Sequence, residues 1–421
     1  MSVLPNQFLP DLMTQLPERY ESEHFTLHYA LRNPPQGAGH GVHGVRDLSV
    51  VAVYAEALEA AFDVMRKSPW LRPPPLTNPV DGRTDVYICD VRESFVTVFR
   101  GSHPVILLAS RNWEPTCEGE RQRAMAEAAH EVMHLFNFSQ RPWMPIKGQC
   151  EAVWGSELWR WLDEGMAINL EEQVLEDNQD RFRFLMDWID RPEVSLDARR
   201  AIYQTAMFVR YLYHRFGEAF VNQVWIEALA EDTPVSAFNR MSPSGEQFAV
   251  AETDQADLFS AYCRDAYFFN DPHSACHEPE AWRRFGARAL TESFMLSAGD
   301  AAQTGTYELD HLACRYFRFT LAAEVEQLSL RMCVKREHSL KAELVAITSE
   351  GYQGNRQRLR ITARNNSAKG EVWLAGELAV PADGNREVVL VVSNCGLRQQ
   401  QENSTVAHDD GQPFRLEVSA D

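Results

Sequence analysis

The residues of this chain whose types and spacing can do chemistry lie within 124–138, AMAEAAHEVMHLFNF, with His130-Glu131-Val132-Met133-His134 at the centre. On an α-helix, side chains four apart sit one turn above one another, so His130 and His134 can offer ring nitrogens to a single point. Glu131 stands beside that point. The H-E-x-x-H spacing suits two imidazoles binding zinc, with a carboxylate placed to take a proton from water that the metal activates. A hydrolytic zinc site keeps three protein ligands and one open position, and a carboxylate is a permitted third ligand. Residues 159–173, WRWLDEGMAINLEEQ, continue a helical apolar pattern and offer Glu164 for that role.

Both segments must be helices for these side chains to meet. Ala124, Met125, Ala126, Ala128, Ala129, Met133 and Leu135 are mostly good helix formers, with no Gly or Pro among them. Thr116, Glu118 and Glu120 supply an acidic start that suits a helix N-terminus. Upstream, residues 24–30 (HFTLHYA) alternate as a half-buried strand, and Leu48 to Lys67 places Val51, Tyr54, Leu58, Ala61, Phe62 and Met65 on one helical face. Residues 84–90 (TDVYICD) and 105–110 (VILLAS) read as second and third strands, the third just before the His helix. His40 and His43 fall in the Gly- and Pro-rich segment 33–44, a loop with no regular element to fix ligand geometry. His273 and His277, with Cys276, fall in a Pro-flanked turn and read as non-ligating on the same ground.

Past Glu164 the pattern is mainly helical over 182–190, 198–216, 220–230 and 256–269, with Pro192, Gly217 and the 234–245 region as separators. From about Gly305 the texture changes. Short apolar or alternating runs recur at 315–320, 327–334, 341–348, 358–364, 371–374, 387–393 and 414–418, with Gly, Asn and Asp turns between them. Such spacing predicts an antiparallel sandwich.

The pentad from His130 to His134, followed by Trp161-Leu162-Asp163-Glu164-Gly165-x-Ala167, resembles the gluzincin metallopeptidases, in particular the aminopeptidase-N-like branch and bacterial gluzincins with a C-terminal β-domain. In that branch a W-L-N/D-E-G-x-A stretch carries the third ligand. Residues 203–217, YQTAMFVRYLYHRFG, are similar to the branch's helix whose Tyr hydrogen-bonds the oxyanion, which implies that role for Tyr203. Thr205 and Ala206 depart from the Lys and Gly usual there. The chain contains no G-x-M-E-N stretch, the family's grip on a free amino terminus, and this favours cleavage within a peptide, or of some other amide substrate, over an aminopeptidase. Residues 105–110 sit where the family's sheet edge lines the cleft, though an interior strand fits the same run. Thermolysin-like relatives carry an Asp four residues after the Glu ligand, where this chain has Ile168, so no group is assigned to orient the imidazoles.

The chain has 421 residues, 45% hydrophobic and 24% charged, and is long enough for two or three folded domains. A net charge of −19 disfavours nucleic acid or an anionic membrane as a surface partner, because both would be repelled. No window reads as a membrane span, and the N-terminus lacks the basic-then-apolar pattern of a signal peptide. Eight cysteines permit disulfides without specifying the pairing. The resemblance and the even cysteine count lean slightly towards an extracytoplasmic or secreted protein, while the missing signal leans towards the cytosol or a processed chain.

The fold expected is therefore α+β. The resemblance implies a zincin-type domain over 25–295, with an N-terminal mixed sheet, the active-site helix and a mainly helical lower subdomain. It follows an N-terminal extension (1–24) and precedes a β-sandwich accessory domain (305–421). The expected activity is zinc-dependent hydrolysis of a peptide or protein substrate. One Zn2+ would be held by His130, His134 and Glu164, with Glu131 as general base and Tyr203 as oxyanion donor. The competing expectation is an inactive zincin scaffold that binds or adheres through its sandwich.

Overall fold

The computed structural model describes residues 15–31, 44–45, 48–67, 81–91, 94–98, 104–110, 117–140, 157–175, 188, 191–196, 202–227, 234–241, 258–268, 290–335, 339–347, 356–358, 360–363, 371–380, 386–395 and 411–421. Among the described residues it is an α+β protein with three sheets. The chain divides into two compact units, Met1–Arg181 with Phe216–Leu229, and Phe182–Arg215 with Ala230–Asp421.

The first unit contains strands β1 (Glu18–Glu21) and β2 (Phe25–Tyr29), helix α1 (Leu48–Lys67), and strands β3 (Thr84–Cys89), β4 (Phe95–Val98) and β5 (Pro104–Ala109). Helices α2 (Glu118–Gln140) and α3 (Glu157–Val174) follow. The strands form one mixed sheet in the order β1-β2-β3-β5-β4, with β2, β3 and β5 parallel and the outer strands antiparallel to their neighbours. Strands β2 and β3 are buried at every position, as interior strands covered on both faces must be. One face packs on the helices: the Phe62 ring of α1 meets Phe25 of β2 edge-on at 5.8 Å and Phe136 of α2 at 5.3 Å. Tyr54 Oη donates to the Ala109 carbonyl at 2.9 Å, fixing α1 against β5. The opposite face carries a smaller apolar cluster that includes Leu16, Tyr87, Val105 and Leu107.

Of the two readings open for residues 105–110, the structure takes the interior one: β5 pairs on both sides, and the last strand of the sheet among the described residues is the four-residue β4, antiparallel to β5. Ser94 ties this edge down, donating from Oγ to Glu127 Oε2 of α2 at 3.2 Å and accepting from the Ala109 N–H at 3.1 Å.

Next in the chain come a one-turn 3-10 helix (Ile202–Thr205), α4 (Ala206–Phe216), α5 (Glu218–Glu227), α6 (Pro234–Met241) and α7 (Leu258–Tyr267). Gly217, at φ +84°, ends α4 in the left-handed conformation that glycine adopts without a Cβ penalty. It stands near the border between units: α5 belongs to the first, and the 3-10 turn, α6 and α7 to the second. Helix α6 falls where a breaker was expected. Pro234 stands at its first position, where a missing N–H costs nothing.

The strands of the second unit are β6 (Leu290–Leu296), β7 (Ala301–Gln303), β8 (Tyr307–Leu309), β9 (Ala313–Leu321), β10 (Gln327–Lys335) and β11 (Leu340–Ile347). They continue with β12 (Arg356–Arg358), β13 (Arg360–Ala363), β14 (Glu371–Ala379), β15 (Glu387–Asn394) and β16 (Gln412–Ala420). One sheet runs β13-β14-β10-β16-β7, with β8 also on β16, and the other runs β12-β11-β15-β9-β6. Alternate residues such as Leu328, Leu330, Met332, Phe317, Phe319, Leu344 and Leu390 make one continuous core, the pattern of a sandwich. The outer face of the second sheet is covered in turn by α7. Tyr316 Oη donates to the Cys263 carbonyl at 2.7 Å, and Ser393 Oγ donates to Ser260 Oγ at 3.1 Å.

None of the six described cysteines forms a disulfide. Among the described residues, no helix is long and apolar enough to cross a membrane.

Candidate metal centre

Helix α2 begins just after Cys117, whose carbonyl accepts from the N–H groups of Glu120 and Arg121 at 3.1 and 3.0 Å. Its apolar residues Ala128, Ala129, Val132, Met133, Leu135 and Phe136 are buried, which fixes the helix rotation. That rotation brings His130 and His134 to α3. Their rings lie 4.7 Å apart between centroids, at 77° to each other.

Glu164 of α3 completes the group. One ligand atom from each of His130, His134 and Glu164 lies within 4.8 Å of the others. Glu164 Oε2 is 3.1 Å from His130 Nε2 and 3.6 Å from His134 Nε2. A tetrahedral zinc with bonds near 2.0–2.1 Å needs donors about 3.4 Å apart, so these atoms are spaced for one cation. The donor chemistry fits too, since two imidazoles and a carboxylate are usual zinc ligands with a position left over.

Each imidazole is held from behind, by groups that the sequence reading left unassigned. His130 Nδ1 pairs with Glu171 Oε1 at 2.7 Å, and His134 Nδ1 lies 3.0 Å from Asp163 Oδ2. Asp163 is itself held by Asn137, whose Nδ2 donates to Oδ1 at 2.6 Å. Trp225 of α5 donates from Nε1 to the Asn137 carbonyl at 3.1 Å, anchoring the C-terminal end of α2. Glu171 follows Glu164 by seven residues, two turns on the same face, so helical spacing was the signal that could have found it. Ile168, four residues after Glu164, is buried.

The electrostatics follow from this packing. Burial alone would lower the His130 pKa, but hydrogen bonds to Glu164 and Glu171 outweigh it and push it up to about 10. His134 is held well above its ordinary value against burial, chiefly by Asp163. Burial would raise Glu164, yet the two imidazoles hold it well below the usual carboxylate range. Glu131 is 4% exposed, and its Oε2 has no hydrogen-bond partner among the described residues. Burial pushes its carboxyl up to about 7, opposed by the charges of His134 and His130. A carboxylate whose pKa lies near neutrality is suited to accept and return a proton.

Tyr203 lies half-buried on the 3-10 turn of the second unit. His40, His43, His273, Cys276 and His277 lie outside the described residues.

Comparison with known proteins adds little to this geometry. A family model described as "Family of unknown function (DUF6055)" matches residues 117–267, a span that includes the whole cluster and Tyr203. No curated protein matches. The pre-peptidase C-terminal domain of a collagenase from Bacillus anthracis aligns at TM-score 0.17 and 8% identity, over 30% of this chain and 94% of that one. PliG of Aeromonas hydrophila, a periplasmic inhibitor of g-type lysozyme, aligns at 0.16 and 15%, over 31% and 99%. The GH115 4-O-methyl-α-glucuronidase BtGH115A aligns at 0.18 and 10%, over 73% and 34%. TM-scores this low establish no shared fold.

Proposed function

We propose that this chain is a zinc-dependent peptidase of gluzincin type that cuts within peptide chains. The observation that carries the reading is the convergence of His130 Nε2, His134 Nε2 and Glu164 Oε2, with Glu131 buried beside them and one carboxylate oxygen uncommitted. When bound, zinc supplies Lewis acidity, polarising the scissile carbonyl and acidifying water at its open position.

The residues of the chain do the rest. Glu131 takes the proton of the attacking water and passes it to the leaving amine nitrogen, acting first as base and then as acid. Glu171 and Asp163 fix the ring orientation of His130 and His134, so both present Nε2 to the cation. Tyr203 enters on its resemblance to the oxyanion donor of aminopeptidase-N-like enzymes, and such a donor is worth about 3 kcal/mol in the transition state. Strand β4, last in the sheet among the described residues, suits an extended peptide that adds as a further strand through main-chain hydrogen bonds. With no G-x-M-E-N stretch to hold a free amino terminus, the substrate is read as an internal peptide segment.

The test is a zinc assay on the full chain combined with a peptide-library digest of the parent and Glu131→Gln. Zinc should be retained in both, near one per chain, while hydrolysis in the variant falls at least about a hundredfold. Equal cleavage by both proteins would remove Glu131 from the mechanism. A parent that binds zinc but cleaves nothing would point instead to an inactive scaffold that works by binding.

A further inference from the structure

The two oxygens of Glu164 have different neighbours. Oε2 faces both imidazoles, at 3.1 and 3.6 Å, while Oε1 accepts from Arg160 Nε at 3.4 Å. Arg160 stands four residues earlier on α3, one turn towards its N-terminus, and its side chain is 22% exposed against 2% for Glu164. The guanidinium therefore approaches the carboxylate from the more open side. Glu131, Glu164, Glu171 and Asp163 crowd this region, and among the described residues Arg160 brings a permanent positive charge against the cluster.

A carboxylate can bind a cation through one oxygen or through both. With two His ligands, the difference decides what else can bind. One-oxygen ligation leaves a tetrahedral zinc a full position for water, whereas two-oxygen ligation uses that position or forces a fifth ligand. Nothing in a bare Glu selects between the two modes. A hydrogen bond to Oε1 does, because turning Oε1 towards the metal would break it and leave a guanidinium donor unmatched beside a buried carboxylate.

We propose that Arg160 is a positioning residue that holds Glu164 to one-oxygen ligation and so keeps a coordination position open. The proposal rests on the zinc reading above and extends it to a residue outside the pentad and the W-L-D-E-G stretch. A plain i,i+4 ion pair on a helix would contribute only about 0.3–0.5 kcal/mol to stability and would have no effect on the metal's coordination number. Coordination number is therefore the readout that separates the two roles.

The experiment uses the full chain loaded with one equivalent of Co2+, whose visible bands are more intense in four-coordinate than in five-coordinate sites. X-ray absorption on the zinc form counts first-shell donors in parallel. The parent should be four-coordinate. Arg160→Gln should lose band intensity several-fold and gain one oxygen donor, and Arg160→Lys should restore most of the parent spectrum, since an ammonium can also hold Oε1. Far-UV circular dichroism unchanged in both variants would tie the difference to coordination. Identical spectra for parent and Arg160→Gln, or a five-coordinate parent, would overturn the role given to Arg160 and leave the metal site standing. A parent that takes up no stoichiometric Co2+ or Zn2+, or a His134→Ala variant that takes up as much as the parent, would overturn the metal site itself.

Discussion

At the scale of single residues, the ordering of the imidazoles matters as much as their presence. His130 is held by a charged carboxylate on α3, Glu171 at 2.7 Å, so the ring can carry its proton on Nδ1 and leave Nε2 free for a cation. Outer partners of this kind cost about 10–100-fold in metal affinity when they are lost. Glu171→Ala should therefore weaken zinc binding within that range, measured by competition with a chromophoric chelator. Asp163→Asn should do much less, because its amide oxygen can still accept from His134. Equal effects of the two changes, or none from Glu171→Ala, would mean that packing rather than hydrogen bonding sets the rings. The ligands themselves were legible in the sequence because a four-residue spacing on a helix is nearly a geometric statement. Glu171 is equally helical in its spacing but two turns away, where several acceptors could have served. Asp163, Asn137 and Trp225 form a chain of contacts across three helices, and no local pattern reveals such a chain before the helices are packed.

At the scale of elements, amphipathic periodicity was a sound guide and short apolar runs were not. Helix α1 has the bounds its pattern predicts, Leu48–Lys67, because one face must bury Val51, Tyr54, Leu58 and Phe62 while the other stays wet. Helix α2 starts at Glu118, within the acidic start read at Thr116, Glu118 and Glu120, and its last turn runs on past the apolar stretch to Gln140. Strand β4 has only four residues, too few to show alternation, and without it β5 could be taken for an edge. Helix α1 is also joined to β2 by a polar contact with a pH signature. The His24 backbone N–H donates to Glu59 Oε1 at 2.8 Å, and the His24 ring Nδ1 meets Oε2 at 2.7 Å. Burial would raise the Glu59 pKa, but hydrogen bonds from the His24 backbone, Ser22 and the His24 ring together lower it below 4.5. A carboxyl depressed in the folded state binds fewer protons there than in the unfolded chain. Its contribution to stability is thus fully present above the unfolded value and is lost as pH falls through the folded one. Urea unfolding of parent and Glu59→Gln should differ most at pH 6 and converge as pH falls below 4.5 and through the depressed folded value. A gap that stays constant over that window would show that the contact does not depend on the charge.

At the scale of the whole molecule, the sandwich was legible because strands repeat and turns punctuate them. The seven predicted runs all contain observed strands, while β6, β7 and β8 were missed, the last two being three residues each. The layer formed by α7 on the outer sheet was not legible, because the polar contacts from Tyr316 and Ser393 link residues far apart in the chain. The net charge of −19 sets the terms for any test of metal binding. Self-repulsion of that size is relieved by any divalent ion, so a rise in stability on adding zinc does not by itself report a site. A specific site gives a defined increment, about 2.7 kcal/mol at a hundred times Kd, because the cation binds the folded state alone. Urea unfolding with and without zinc should give that increment in the parent and lose it in His134→Ala, with Mg2+ at the same concentration giving the same small effect in both. If zinc stabilises parent and variant alike, the increment belongs to diffuse charge relief and the cluster on α2 and α3 holds no cation. If the increment appears in the parent alone, it belongs to His130, His134 and Glu164, and the stability of that unit becomes a direct measure of zinc affinity.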